Sequence, residues 1–237
     1  NHPWAALVVV IVFCLIARHL YYVLLNPGLY VHSFYQNVSE QFFANKSLYY
    51  VTSTYTLYPL NGEPIVIGTP IDRPPMYPLL LAVSRYFAPS YVTATYNLQF
   101  VLWVLMLLAT YGFTQAAFGR RLISLMAVLM VGLYPYLASN SLVQSDQITT
   151  GVLFLAMALA AVKLKQTGKL AYAVAFGVLM VLELLTRGLS VVFAPLVIAL
   201  LLVTLKPVKK ALASIALIGM SAGVLLFPWM AYTNSIY

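Results

Sequence analysis

The stretch Ile71–Leu81, IDRPPMYPLLL, marks the sharpest boundary in this chain. Upstream of it, Asn26 to Pro75 is the only extended segment that is not apolar. Outside that segment the chain is apolar runs joined by short connectors. Asp72 and Arg73 stand against two prolines, and Tyr77-Pro78 opens the apolar run that follows. Proline fixes its own φ and holds the residue before it extended. The result is a stiff charged corner beside a membrane, able to hold a phosphate or a carboxylate.

Composition carries the membrane reading. Of 237 residues, 62% are hydrophobic and 8% charged, with mean hydropathy +0.90. Soluble chains carry about 25% charged residues, so an all-α, polytopic membrane helix bundle is expected. The formal charge of +8 reflects basic loops and not a nucleic-acid footprint; no nucleic-acid partner is expected. Cys14 is the single cysteine and lies in an apolar run, which reads as packing.

The first span runs from Trp4 to Leu25 and has no small-residue cleavage site, so it reads as retained. Arg18 and His19 lie near its far end, where snorkelling to the interface beside Tyr21 and Tyr22 is expected. Within Val31–Ala44, apolar residues at 31, 34, 35, 38 and 42 predict an amphipathic helix lying on the membrane. Asn45 to Gly68 is polar, with Asn61-Gly62 as a tight turn. Pro75 to Phe87 predicts a second interfacial helix, ended by Pro89. Six more spans are expected: Thr93–Ala117, Leu122–Ala138, Ile148–Val162, Leu170–Thr186, Leu189–Leu205 and Ala211–Tyr232. With the first they make seven, a single module over residues 1–237 with an outer loop over 26–92.

The connectors orient the bundle. Arg120, Arg121, Lys163, Lys165, Lys169, Lys206, Lys209 and Lys210 lie in three alternate connectors that hold no acid. The positive-inside rule makes that side cytoplasmic, along with the N-terminus. Glu40, Glu63, Asp72 and Asp146 then fall outside, with Glu183 near that end of its span.

Chemistry is therefore sought on the outer face. Arg73 and Arg187 suit a phosphate headgroup, since a guanidinium donates two parallel hydrogen bonds. Taken singly, each also reads as an interface anchor, or, for Arg187, as the partner of Glu183 four residues earlier. Asp146 could serve as a general base for an acceptor hydroxyl; it or Ser145 could equally cap the helix that follows. No phosphate loop and no dinucleotide fingerprint is present, and His2, His19 and His32 are too scattered for a metal site. The loop aromatics could stack on a sugar, although interface belts account for them too. Asn37-Val38-Ser39 and Asn45-Lys46-Ser47 are sequons on the outer side.

In this order the features resemble the polyprenyl-phosphate-dependent GT-C glycosyltransferases, in the protein mannosyltransferase and aminoarabinose transferase branch. NPGLYVHSFYQNVSEQFF resembles the start of the family's outer loop, and DRPPMYPLLLA its Lys/Arg-Pro-Pro-x-Tyr corner. LYPYLASNSLVQSDQITTGVLFLA is similar to the segment with the second outer acid. LELLTRGLSVVFAPL resembles the Lys/Arg-Gly turn, and LLFPWMAYTN the end of the seventh span. The resemblance implies sugar transfer from a polyprenyl-phosphate donor to an acceptor on the outer face of a bacterial inner membrane or the endoplasmic reticulum. It implies that Arg73, Arg187 and Tyr77 meet the carrier phosphate and that Asp146 is the second outer acid. The family's first acid falls here at Val31, leaving His32, Glu40 and Asp72 as candidates for its part. The donor sugar-lipid and membrane lipid are the implied partners; a divalent metal and other membrane subunits are compatible companions. A non-catalytic relative, acting as a scaffold or accessory subunit, is the competing expectation.

Overall fold

A computed structural model describes residues 4–25, 33–45, 51–57, 65–70 and 74–236. It is a helix bundle. The long helices are α1 (Ala5–Leu25), α4 (Tyr91–Phe118), α7 (Gln147–Thr167) and α10 (Val208–Ile236). Between them lie α5 (Arg121–Leu133), the short α6 (Pro135–Asn140), α8 (Ala171–Leu184) and α9 (Ser190–Thr204). The first loop carries α2 (Ser33–Asn45), β1 (Val51–Leu57), β2 (Ile65–Pro70) and α3 (Met76–Arg85). Helices thus form in both stretches where the sequence led one to expect them, 31–44 and 75–87. The polar stretch between them does more than turn, because β1 and β2 pair antiparallel, from Val51 opposite Pro70 to Leu57 opposite Ile65. Alternating β-branched residues in VTSTYTL favour that strand. The Asn61-Gly62 turn lies outside the described residues.

Local chemistry sets the helix ends. Ser90 caps α4 by accepting the Thr93 amide at 3.2 Å, and Gly119 ends it in the left-handed region at φ 67°. Gly168 does the same for α7 at φ 63°, a conformation that costs a side chain Cβ strain. Pro135 cannot continue α5, so the third of the expected spans, Leu122–Ala138, breaks into α5 and α6.

Among the described residues, four helices are long and apolar enough to cross a membrane: α1, α4, α7 and α10. The shorter α5, α8 and α9 have 13, 14 and 15 residues. At about 1.5 Å per residue they extend roughly 20 Å, against a hydrocarbon core of about 30 Å. Their outward faces are apolar, with Met130, Val192 and Val203 at 70% exposure or more. That surface suits lipid.

The order of packing is α1 on α5, α5 on α4, α4 on α7, α7 on α8 and α8 on α10, with α9 against α8 and α10. Close approach depends on small residues, as between helices in lipid. A Cβ on Gly132 would lie 2.8 Å from Cys14 Cβ, and one on Gly177 would lie 2.6 Å from the Ile218 carbonyl oxygen. Cys14 is buried at the α1–α5 contact.

Both ends of the bundle can be identified from contacts. At one end Gln166 Nε2 donates to the Ala116 carbonyl at 2.5 Å, and the Lys210 side chain lies on Gly168. The three basic connectors therefore share this end. At the other end the Met76 amide donates to the Leu185 carbonyl at 2.8 Å, so α3 meets the α8–α9 turn.

Candidate functional site

At that second end Ser141–Asp146 links α6 to α7, and Leu185–Leu189 links α8 to α9. Gln99, from the first third of α4, donates its amide to the Ser145 carbonyl at 2.7 Å. Ser145 Oγ accepts the Gln147 amide at 3.2 Å. Asp146 makes no side-chain capping bond. Asp146 thus holds the cap position without capping with its side chain, and Ser145, one residue earlier, supplies the bond to the first helical amide.

The Asp146 carboxylate meets Arg187, with Oδ1 3.9 Å from Nη1 and side chains 18% and 41% exposed. At 3.9 Å the charges attract without closing a hydrogen bond. The expected partner of Arg187, Glu183, is engaged otherwise. Its side chain is buried, and its two carboxylate oxygens accept the Ser190 amide at 2.7 Å and the Leu189 amide at 3.3 Å. Those amides open α9, where a negative charge is favoured by the helix dipole. Helix α8 ends at Leu184, so residue 187 has left the helical face on which a four-residue spacing pairs side chains. Gly188 at φ 76° completes the turn.

Tyr77 does not sit where a phosphate could reach it. It is fully buried, its hydroxyl accepts Gln99 Nε2 at 2.7 Å, and its ring meets Tyr35 edge-on at 4.9 Å. Burial pushes its hydroxyl pKa well up. Tyr77 is thus a core residue tying α3 to α4. Glu40 is also engaged: it lies 3.5 Å from Arg85 Nε, whose guanidinium stacks on Phe43 at 5.4 Å. That pair joins α2 to α3 and takes Glu40 away from the part of a base. His32, Asp72 and Arg73 lie outside the described residues.

Arg18 corrects the snorkelling expectation. It is 3% exposed, and Nε and Nη2 donate to Ser141 Oγ at 2.9 Å and to the Ser141 carbonyl at 2.7 Å. Its guanidinium also faces the Tyr96 ring at 5.2 Å and Phe100 at 5.7 Å, contacts that stabilise a cation out of water. Arg18 therefore braces the connector that carries Asp146. A signal for this lies in the sequence, since the charge pattern puts the far end of the first span, with Arg18, on the same outer side as Asp146.

Along α9 runs an apolar furrow of about 410 Å³, bounded by α4, α7 and α8. Ser190, Phe193, Phe154, Met180, Val162 and Leu200 are among its lining residues. Phe154 and Phe193 meet edge-on at 5.3 Å across it. Its Ser190 end lies three residues from Arg187. Among the described residues no three His, Cys, Asp or Glu side chains gather into one cluster.

Comparison with protein-family models, with curated proteins and with solved structures finds no match to this chain.

Proposed function

We propose that this chain is an integral-membrane glycosyltransferase that takes its sugar from a polyprenyl phosphate and transfers it on the non-cytosolic face. The observation that carries the reading is the loose Asp146–Arg187 pair at the head of an apolar furrow. The furrow offers a lipid chain an apolar bed, and Arg187 offers the phosphate a partly exposed guanidinium. In this reading α5, α8 and α9 cross together with the four long helices, their flanking residues making up the length the helices lack, with the eight connector cations on the cytosolic side and the N-terminus with them.

In the transfer, the acceptor oxygen forms its bond to the sugar's anomeric carbon. The bond from that carbon to the phosphate oxygen breaks, and polyprenyl phosphate leaves with the electron pair. The acceptor proton passes to Asp146. Phosphate drawn to Arg187 competes with Asp146 for the guanidinium and so releases the carboxylate to take that proton. Charge growing on the leaving phosphate is stabilised by Arg187 in a site of low polarity.

The test is transfer of labelled sugar from polyprenyl phosphate in proteoliposomes. The parent transfers; Asp146→Asn and Arg187→Ala each lower the rate about 100-fold or more. A parent that binds the carrier and transfers nothing supports the scaffold reading instead. One observation favours that second reading. Val31 stands at the family's first acid position, and Glu40, its described substitute, is tied to Arg85.

A further inference from the structure

We infer that the basic end of the bundle is a seat for the headgroups of anionic phospholipids. The inference stands apart from sugar transfer and holds whichever leaflet this end faces. Three connectors meet there. Gln166, in the last turn of α7, donates to the Ala116 carbonyl near the end of α4. Ser124, in the first turn of α5, donates to Gln115 Oε1 at 3.0 Å. The Lys210 side chain lies against Gly168, where α7 turns toward α8. These contacts gather the connector cations at one end.

Charge there is unbalanced. Among the described residues, none of the eight cationic side chains has an ion pair or a hydrogen bond. The opposite end is different: Arg85 has Glu40 at 3.5 Å, and Arg187 has Asp146 at 3.9 Å. Glu183, the remaining described acid, is engaged at the start of α9. Orientation in a membrane asks only that the cations stay on one side. It does not ask that they converge without a counter-charge, where each repels its neighbours within a screening length of about 10 Å. An anion from outside the chain relieves that repulsion.

The neighbours of the cations say which anion. Phe118 and Leu122 flank Arg120 and Arg121, Leu170 follows Lys169, and Val208 precedes Lys209. All four apolar side chains are exposed. A free phosphate or a nucleic-acid backbone meets the charges and leaves the apolar groups in water. A phospholipid meets both, with its phosphate on the cations and its acyl chains on the apolar groups. A zwitterionic headgroup offers the same chains but brings its own cation, so the anionic lipid is favoured.

The test uses the full chain in phosphatidylcholine bilayers with a trace of spin-labelled lipid, either phosphatidylglycerol or phosphatidylcholine. It reads the share of each label held at the protein surface. Phosphatidylglycerol should associate about fivefold more strongly, the worth of one cation near a charged headgroup. The preference should fade between about 0.01 and 1 M salt, as the screening length shrinks from about 30 to 3 Å. It should fall in K165Q/K169Q/K209Q and persist in K165R/K169R/K209R. These three lysines are exposed, so both variants leave the packing intact. Equal association of the two lipids with the parent, or a glutamine variant that keeps the full preference, overturns the inference. So does displacement by inorganic phosphate beyond that by chloride at the same ionic strength, which would assign the cations to a soluble anion.

Discussion

Glu183 brings a carboxylate into the buried face of α8 and directs both oxygens at the first amides of α9. A charged acceptor for two otherwise open helix amides is worth more than a neutral bond. Glu183→Ala should therefore lower stability by about 2–3 kcal/mol, read as a fall in the detergent-solubilised unfolding midpoint. Sequence spacing suggested a different partner for this residue, because a Glu four before an Arg is a familiar pair on a continuous helix. That reasoning failed on one physical point: the helix stops before Arg187, and two unsatisfied amides outcompete a side chain that can reach water. Arg18 was misread for a related reason. Helix α1 is apolar nearly all round, so the pattern does not distinguish its lipid face from its bundle face. Tyr77 makes the pH prediction. Burial raises its folded pKa above the ordinary value of about 10, so the folded state holds the proton more tightly than the unfolded chain. Stability from this group is full below pH about 10 and declines as pH rises beyond it. Comparing unfolding at pH 9 and 11, Tyr77→Phe should lose less stability over that interval than the parent.

At the scale of the helices, Gly177 sets how closely α8 approaches α10. An added Cβ would press on the Ile218 carbonyl oxygen, and backbone does not yield cheaply. Gly177→Val should separate the two helices and cost about 1–3 kcal/mol. Gly219→Ala is the control, since its added Cβ meets nothing within 4 Å; thermal unfolding of both variants checks the difference. Helices of this kind were legible from sequence because their apolar length and polar connectors are local properties. The periodic residues 34, 35, 38 and 42 likewise placed α2. The β1–β2 hairpin was not legible from polarity alone, although its alternating Val, Thr and Tyr residues carry a strand signal. Nor was the furrow, which arises from how α9 lies against α7 and α8 and has no linear signature.

For the whole molecule, the chain brings residues far apart in sequence to one end. Met76 meets Leu185, Gln99 meets Ser145, Arg18 meets Ser141 and Asp146 meets Arg187. The basic connectors gather at the opposite end. This polarity is what the proposed function needs: a charged head site above an apolar groove, separated by the bundle from a cationic cytosolic face. The central claim is that Arg187 holds the phosphate of a lipid carrier while Asp146 does not. Equilibrium binding of polyprenyl phosphate, compared with the uncharged polyprenol, tests it most directly. Phosphate should tighten binding to the parent, Arg187→Ala should weaken it about tenfold or more, and Asp146→Asn should leave it unchanged or tighter. Equal binding of the phosphate and the alcohol, or an Arg187→Ala variant that binds as the parent does, would contradict the account.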